Sequence, residues 1–258
     1  MSIGGMLSGI FVLPGLAVGI TGSSVWLAFL VAALCILPAV LSKSELGTAM
    51  PKSGGTYVYI ERAFGPLFGT IAGIGLWLSL LLKSSFSLVG LSAYLYVVVN
   101  IDAAYTRAIA LLALLLIFLL NVFGLKKVEK TQLFIVSVSI ISLIGIIILG
   151  FGSFDTKLTE PVFTEGTNGF IAGVAFLYIS YAGVTKIAAI AGEIKNPAKN
   201  LPLTMIISLF LITTIYCLVA LVLVGNVEAS ILATDIKPIH TLFETVSYTH
   251  LRAHETHN

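Results

Sequence analysis

The stretch GGMLSGIFVLPG, residues 4–15, contains four glycines, a serine and a proline within an otherwise apolar segment. Glycine and proline both weaken an α-helix, because glycine loses more backbone entropy on folding and proline lacks an amide hydrogen. Gly5 and Gly9 are also spaced as a GxxxG pair, which typically allows two membrane helices to pack closely. The stretch by itself therefore fits both a packing motif and an interrupted helix.

The composition is that of an integral membrane protein, with 58% hydrophobic and only 10% charged residues and a mean hydropathy of +1.06. A helix needs about 17 to 25 apolar residues to cross a bilayer. Such segments must be helical, because unpaired backbone groups are very costly in hydrocarbon. Seven spans are predicted, at residues 3–20, 25–41, 67–97, 108–123, 133–150, 170–191 and 203–224.

Basic residues are distributed unevenly over the predicted loops. The loops after spans two, four and six carry Lys43, Lys52, Arg62, Lys126, Lys127, Lys130, Lys195 and Lys199. The alternate loops carry Arg107, Lys157 and Lys237. Because basic loops remain on the cytoplasmic side, this asymmetry predicts a multi-pass protein with a cytoplasmic amino terminus.

The sixth predicted span is also interrupted, since Tyr181, Ala182 and Gly183 stand where a simple anchor would continue with leucine and isoleucine. This span comes five spans after the first. Interrupted helices at corresponding positions of two repeats are the best sequence indication of a substrate site at the membrane midplane in secondary transporters. We therefore expect the first and sixth spans to be broken, near Ser8 with Gly9 and near residues 181–183, and to lie side by side.

A broken membrane helix exposes backbone groups that can bind both ends of an amino acid. Amide groups that begin the second half-helix suit a carboxylate, and carbonyl groups that end the first suit an ammonium group. Ser8, Gly9 and Ile10 are the predicted amide donors. The predicted substrate-binding residues are Gly5, Ser8, Gly9, Ile10, Ile179, Tyr181, Ala182 and Ser84.

Lys83 and Lys186 are the ionisable residues within the spans, which contain no aspartate or glutamate. A charged side chain at the membrane centre costs about 2.5 to 3.5 kcal/mol on insertion scales. Lys83 lies near the middle of the third span, among serines 79, 84, 85 and 87. It is predicted to serve proton coupling or anion pairing, the alternative being an amine that faces a wet cavity. The role of Lys186 is left open.

Three motifs resemble those of bacterial and archaeal amino acid permeases of the amino acid, polyamine and organocation superfamily. They are LSGIFVLPG at 7–15, ELGTAMPKSGGTYVYIERAFGPLFG at 45–69 and SYAGVTKIAAIAGEIKNPAKNLP at 180–202. The resemblance implies an all-α membrane protein with the leucine-transporter fold, in which two five-helix inverted repeats are followed by two more helices. It further implies an amino acid transporter of the cytoplasmic membrane that works by alternating access and is driven by protons or by exchange.

The chain departs from this family pattern in length, because a family member has about twelve spans and seven are predicted here. We therefore expect a fragment that is inactive alone. Residues 1–245 would form a partial permease domain, with the first repeat at about 1–150, the start of the second at about 168–225 and an outer segment at 226–245. Residues 246–258 are expected to be a non-native tail. Its histidines, His250, His254 and His257, lack a supporting ligand set, so no metal site is predicted.

Other functions find little support in the sequence. The glycine-rich segment KSGGTYVYIER lacks the Lys-Ser or Lys-Thr ending of a phosphate-binding loop, and no catalytic motif is recognised elsewhere. No enzyme, cofactor or nucleic-acid partner is therefore expected. The expected partners are an amino acid substrate, the lipid bilayer and protons. A non-transporting amino acid sensor or a channel on the same scaffold is the alternative. Thr185 and Ser139 stand where some relatives carry an acid and a lysine, so the substrate and the coupling ion stay open.

Overall fold

The computed structural model describes residues 2–99, 105–122 and 125–255, and these residues form helices and connecting turns without a β-strand. Phe123, the last residue of the predicted fourth span, and residues 256–258 of the expected tail lie outside the described residues. The all-α class predicted from hydropathy is confirmed. It follows from the need to satisfy each backbone group within its own segment when the surroundings are apolar.

Eleven α-helices and three 3₁₀ segments are found in the described part of the chain. The α-helices are α1 (Ser2–Leu7), α2 (Leu13–Thr21), α3 (Val25–Ala49), α4 (Thr56–Phe64), α5 (Pro66–Val99), α6 (Thr106–Val122), α7 (Leu125–Phe151), α8 (Gly166–Tyr178), α9 (Pro197–Asn226), α10 (Ala229–Leu232) and α11 (Pro238–Glu255). The 3₁₀ segments are Gly22–Ser24, Thr156–Thr159 and Ile179–Glu193.

Five helical stretches in the described residues are long and apolar enough to cross a membrane, compared with seven predicted spans. The difference has two causes. Leu13–Ala49 is one 37-residue stretch, because α2 and α3 join through a short 3₁₀ turn at Gly22, whose φ is 62°. The apolar part of the fourth span, Arg107–Leu119, is shorter than the others. The described parts of all seven predicted spans are nevertheless largely helical.

The first span is interrupted at the glycine-rich stretch, as predicted. Helix α1 ends at Leu7 and α2 begins at Leu13. Pro14 lies in the first turn of α2, where a missing amide hydrogen costs least. Between the helices the chain makes tight turns, in which the amide of Gly9 donates to the carbonyl of Met6 at 3.0 Å. We call this segment, residues 8–12, the first break.

The sixth span is interrupted too, but earlier and less sharply than predicted. The α-helical pattern ends at Tyr178 rather than at residues 181–183, and Ile179–Glu193 continues with 3₁₀ geometry. Within that segment Ile190 departs from helical dihedrals, with φ −112° and ψ 19°. A 3₁₀ run of this length is uncommon and often marks strain or a hinge. The interruption is therefore a change in hydrogen-bonding pattern, not an unwound gap.

The two interrupted spans lie side by side and make a close backbone contact at glycines. A Cβ atom added to Gly183 would be only 2.7 Å from the carbonyl carbon of Gly5, nearer than real Cβ atoms come. Backbone contact of this kind requires glycine at that position. The glycines of residues 4–15 therefore serve both as a packing motif and as an interruption of the helix. Gly5 belongs to a packing contact, and Gly9 belongs to the first break.

An aromatic cluster fixes this pair of spans against α3 and α9. Tyr181 and Tyr216 are fully buried, and their ring centroids are 5.5 Å apart. The Tyr181 hydroxyl donates to the backbone carbonyl of Phe29 at 3.0 Å. Many large apolar side chains of α5, α6 and α7 are instead exposed. Such surfaces suit contact with lipid, so the packed core lies on the α3 and α9 side of the breaks.

The connection between α3 and α4 docks on the far end of the long 3₁₀ segment. The amide of Gly54 donates to the carbonyl of Ala189 at 2.9 Å. Gly55 lies against the same residue with φ 56°, a conformation that favours glycine. Tyr59 donates from its hydroxyl to the Ala188 carbonyl at 3.4 Å, and burial raises the pKa of this hydroxyl. The glycine-rich connection therefore has a structural role here.

Candidate functional site

Two cavities adjoin the first break. The smaller has a volume of about 480 Å³ and lies between the first break, α5 and α8, with Ser8, Gly9, Lys83 and Ile179 in its wall. The larger has a volume of about 770 Å³ and extends toward α6 and α7. Four residues line both cavities, namely Ser8, Val12, Lys83 and Ser87. Both volumes are in the range of sites for small molecules.

The structure brings six of the nine predicted site residues to these cavities. Their walls contain Gly5, Ser8, Gly9, Lys83, Ser84 and Ile179. Ile10 and Tyr181 are instead fully buried in the core. Ala182 is not among the described residues that line either cavity. Side chains of a helical segment point around its whole circumference, so residues adjacent in sequence to a cavity wall need not face the cavity.

Two of the three amide groups predicted to bind a carboxylate, those of Gly9 and Ile10, already have partners in this conformation. Gly9 donates to Met6, and Ile10 donates to the carbonyl of Leu7 at 3.2 Å. The break is closed by these turn hydrogen bonds, which satisfy groups that would otherwise be costly in an apolar environment. A carboxylate at these amides would have to replace the turn bonds. Of the predicted acceptors, the Ala182 carbonyl receives the Thr185 hydroxyl at 3.2 Å.

Lys83 reaches the wall of both cavities from the middle of α5. Its Nζ atom is buried and has no hydrogen-bond partner within the described part of the chain. The Ser84 and Ser85 hydroxyls nearby donate to the carbonyls of Leu80 and Leu81 in their own helix. A buried polar group without a partner is rare and costly. Lys83 is therefore available to a ligand in either cavity.

Lys186 is a second amine at the larger cavity, and its place there was not predicted. It follows Gly183 by three residues in the 3₁₀ segment, a spacing that puts both residues on one face. A Cβ atom on Gly5 would lie 3.8 Å from the Lys186 Nζ atom. The three-residue spacing between Gly183 and Lys186 is visible in the sequence. Only the contact of Gly183 with Gly5 shows that this spacing brings Lys186 to the first span.

Tyr94 is another cavity residue that sequence reasoning missed. It lines the larger cavity from α5, and its hydroxyl donates to the carbonyl of Phe11 at 2.6 Å. The rings of Phe11 and Tyr94 meet edge to face with centroids 5.9 Å apart. Tyr94 therefore attaches α5 to the first break. No local pattern distinguishes it from other aromatic residues of the chain.

Tyr216 holds the carboxyl end of α1 in place, since its buried hydroxyl donates to the Met6 carbonyl. We expect Tyr216→Phe to lower the free energy of unfolding by about 1 kcal/mol, the typical value of one hydrogen bond. The loss is moderate because the Met6 carbonyl keeps the Gly9 amide as a second donor. Thermal unfolding in detergent would measure it, as a fall in Tm of roughly 2–4 °C in a protein of this size.

Tyr178→Phe is the matched control for this measurement, because the Tyr178 side chain is exposed. It should leave the Tm unchanged. Equal Tm values for both variants would show that the hydrogen bond from the Tyr216 hydroxyl to Met6 contributes nothing to stability.

The sequence matches one known family and several known proteins over most of its length. The family model described as amino acid permease matches residues 1–253. A serine/threonine exchanger of Bacillus subtilis is 28% identical over 88% of this chain and 53% of its own length. A branched-chain amino acid permease of Lactococcus lactis is 29% identical over 96% of this chain and 59% of its own.

A third relative comes from a plant. Cationic amino acid transporter 7 of Arabidopsis thaliana, named as chloroplastic, is 27% identical over 86% of this chain and 42% of its own length. The chain thus spans about half the length of the curated relatives it matches. The match of the family model to almost the whole chain agrees with the two adjacent interrupted spans and their cavities: this chain belongs to the amino acid permease family.

Proposed function

We propose that the whole protein is a secondary active transporter that moves amino acids across the cytoplasmic membrane by alternating access, driven by protons or by exchange. The observation that carries the proposal is the contact of the two interrupted spans at Gly5 and Gly183, directly beside a cavity with a buried amine. Interrupted helices supply the backbone groups that bind amino acids in such transporters. The named activities of the relatives support the same class.

In this proposal the substrate binds where the two cavities meet at the first break. Ser8, Ser84 and Lys83 offer side-chain groups. Backbone groups for the substrate would come from Gly5, Gly9, Ile10, Ile179 and Ala182. Tyr181 would hold this segment in place from the core. Because the Gly9 and Ile10 amides make turn bonds, substrate binding would open the first break. That exchange of hydrogen bonds would couple binding to movement of α1.

The orientation in the membrane rests on charge. The amino terminus is proposed to be cytoplasmic, because the loops after the second, fourth and sixth spans carry most of the basic residues. In that orientation the connection between α3 and α4 and its contacts with Ala188 and Ala189 lie on the cytoplasmic side. Cysteine-accessibility labelling at Lys52→Cys and Lys157→Cys in intact cells would test this, since the two positions should react from opposite sides.

Uptake by the whole protein in liposomes tests the transport function. We expect saturable uptake of labelled amino acids and faster uptake when the liposomes are preloaded with unlabelled substrate, because a carrier returns more quickly when it is occupied. Binding without uptake would contradict transport and favour an amino acid sensor. Uptake without saturation or preloading stimulation would favour a channel. Uptake with and without an inward proton gradient separates proton coupling from exchange.

A further inference from the structure

The charged residues of the larger cavity are all of one sign. Lys83 reaches it from α5 and Lys186 from the 3₁₀ segment of the sixth span. No aspartate or glutamate is among the described residues that line it, and the seven predicted spans contain none. When both amines are protonated, the described wall of this cavity therefore carries two positive charges and no counter-charge, and like charges in one apolar cavity repel each other.

Such an arrangement is unfavourable without a bound anion. Isolated charges in an apolar wall are costly, and like charges increase the cost. The buried Nζ atom of Lys83 has no partner within the described residues. Within the described residues Lys186 forms no ion pair. The missing counter-charge therefore has to come from outside the described cavity wall.

We infer that the larger cavity binds an amino acid with two carboxylates, one at Lys83 and one at Lys186, and excludes amino acids with a cationic side chain. This inference rests on the proposed transport function and names its substrate class. A dicarboxylic amino acid supplies one anionic group for each amine, whereas a neutral one leaves an amine unpaired. The hydroxyls of Ser8 and Ser87, which line both cavities, face the ammonium group of the substrate.

The inference distinguishes this chain from some of its relatives. Cationic amino acid transporters are among the proteins it resembles. A substrate with an additional positive charge would meet two ammonium groups in this cavity, and like charges at close range are strongly unfavourable in an apolar surrounding. Arginine and lysine are therefore expected to be poor ligands.

Competition in liposomes with the whole protein tests the substrate class. Uptake of labelled alanine would be measured with unlabelled glutamate, aspartate, alanine and arginine as competitors. We expect glutamate or aspartate to inhibit at concentrations at least about tenfold lower than alanine, the gain expected from one further charged hydrogen bond. Arginine should not inhibit. Uptake of neutral amino acids without inhibition by dicarboxylic ones would overturn the inference and leave the proposed function intact. Uptake of no amino acid would overturn both.

Variants of Lys186 assign the second carboxylate site. Lys186→Met should weaken inhibition by glutamate about tenfold or more and leave inhibition by alanine nearly unchanged. Lys186→Arg keeps the charge and should retain the preference for glutamate. Lys157→Met, the same replacement at an exposed loop position, is the control. An unchanged glutamate preference in Lys186→Met would overturn the assignment, and the uptake of alanine by the same variant shows that it is folded.

Discussion

Gly183→Ala is expected to remove most of the amino acid uptake by the whole protein. The added methyl group would be 2.7 Å from the carbonyl carbon and 2.9 Å from the carbonyl oxygen of Gly5. These are backbone atoms and cannot rotate away as a side chain would. The two interrupted spans would have to separate, at a cost of about 1–3 kcal/mol typical of overpacking, and the first break would move away from Lys83. We expect uptake to fall more than about tenfold.

Gly145→Ala serves as the control for Gly183→Ala, because a Cβ atom at Gly145 in α7 would meet nothing within 4 Å. It should retain all of the uptake. Normal uptake by Gly183→Ala would show that the close backbone contact is not needed for transport.

If Lys83 titrates during transport, Lys83→Met is expected to make uptake insensitive to a proton gradient while exchange stays measurable. Lys83 faces both cavities, and its buried Nζ atom has no partner within the described residues. Gain or loss of a proton there would directly change its attraction to a substrate carboxylate. Methionine has a similar length and no charge, so it removes the proton site with little change in packing.

The measurement is uptake by the whole protein into liposomes, with and without an inward proton gradient. The wild-type protein should respond to the gradient and Lys83→Met should not. Lys157→Met is again the control, because that side chain is exposed, and it should behave like the wild type. If Lys83→Met responds to the gradient as the wild type does, Lys83 does not serve proton coupling, and anion pairing is the role that is left for it. Loss of exchange together with the gradient response would show that the amine is needed for every mode of transport.

The sequence predicted the features that depend on neighbouring residues. Mean hydropathy determines that the chain lies in a membrane, and the apolar surroundings then require helices. The density of glycine and proline in residues 4–15, together with the second interrupted span, predicted the first break, because both residues weaken a helix. The motifs around that break and in the sixth span led to the family that the comparison confirmed.

The tertiary structure decided the features that depend on contacts between distant residues. The sixth span changes its pattern at Ile179, before the glycine that suggested the break, and Gly183 instead makes the close contact with Gly5. Tyr181 is buried by Phe29 and Tyr216, both far away in the sequence. Lys186 gains a potential role only through its position beside Gly5 and Lys83. Hydropathy and glycine spacing act within one segment, whereas the direction of a side chain is set by the helix against which that segment packs.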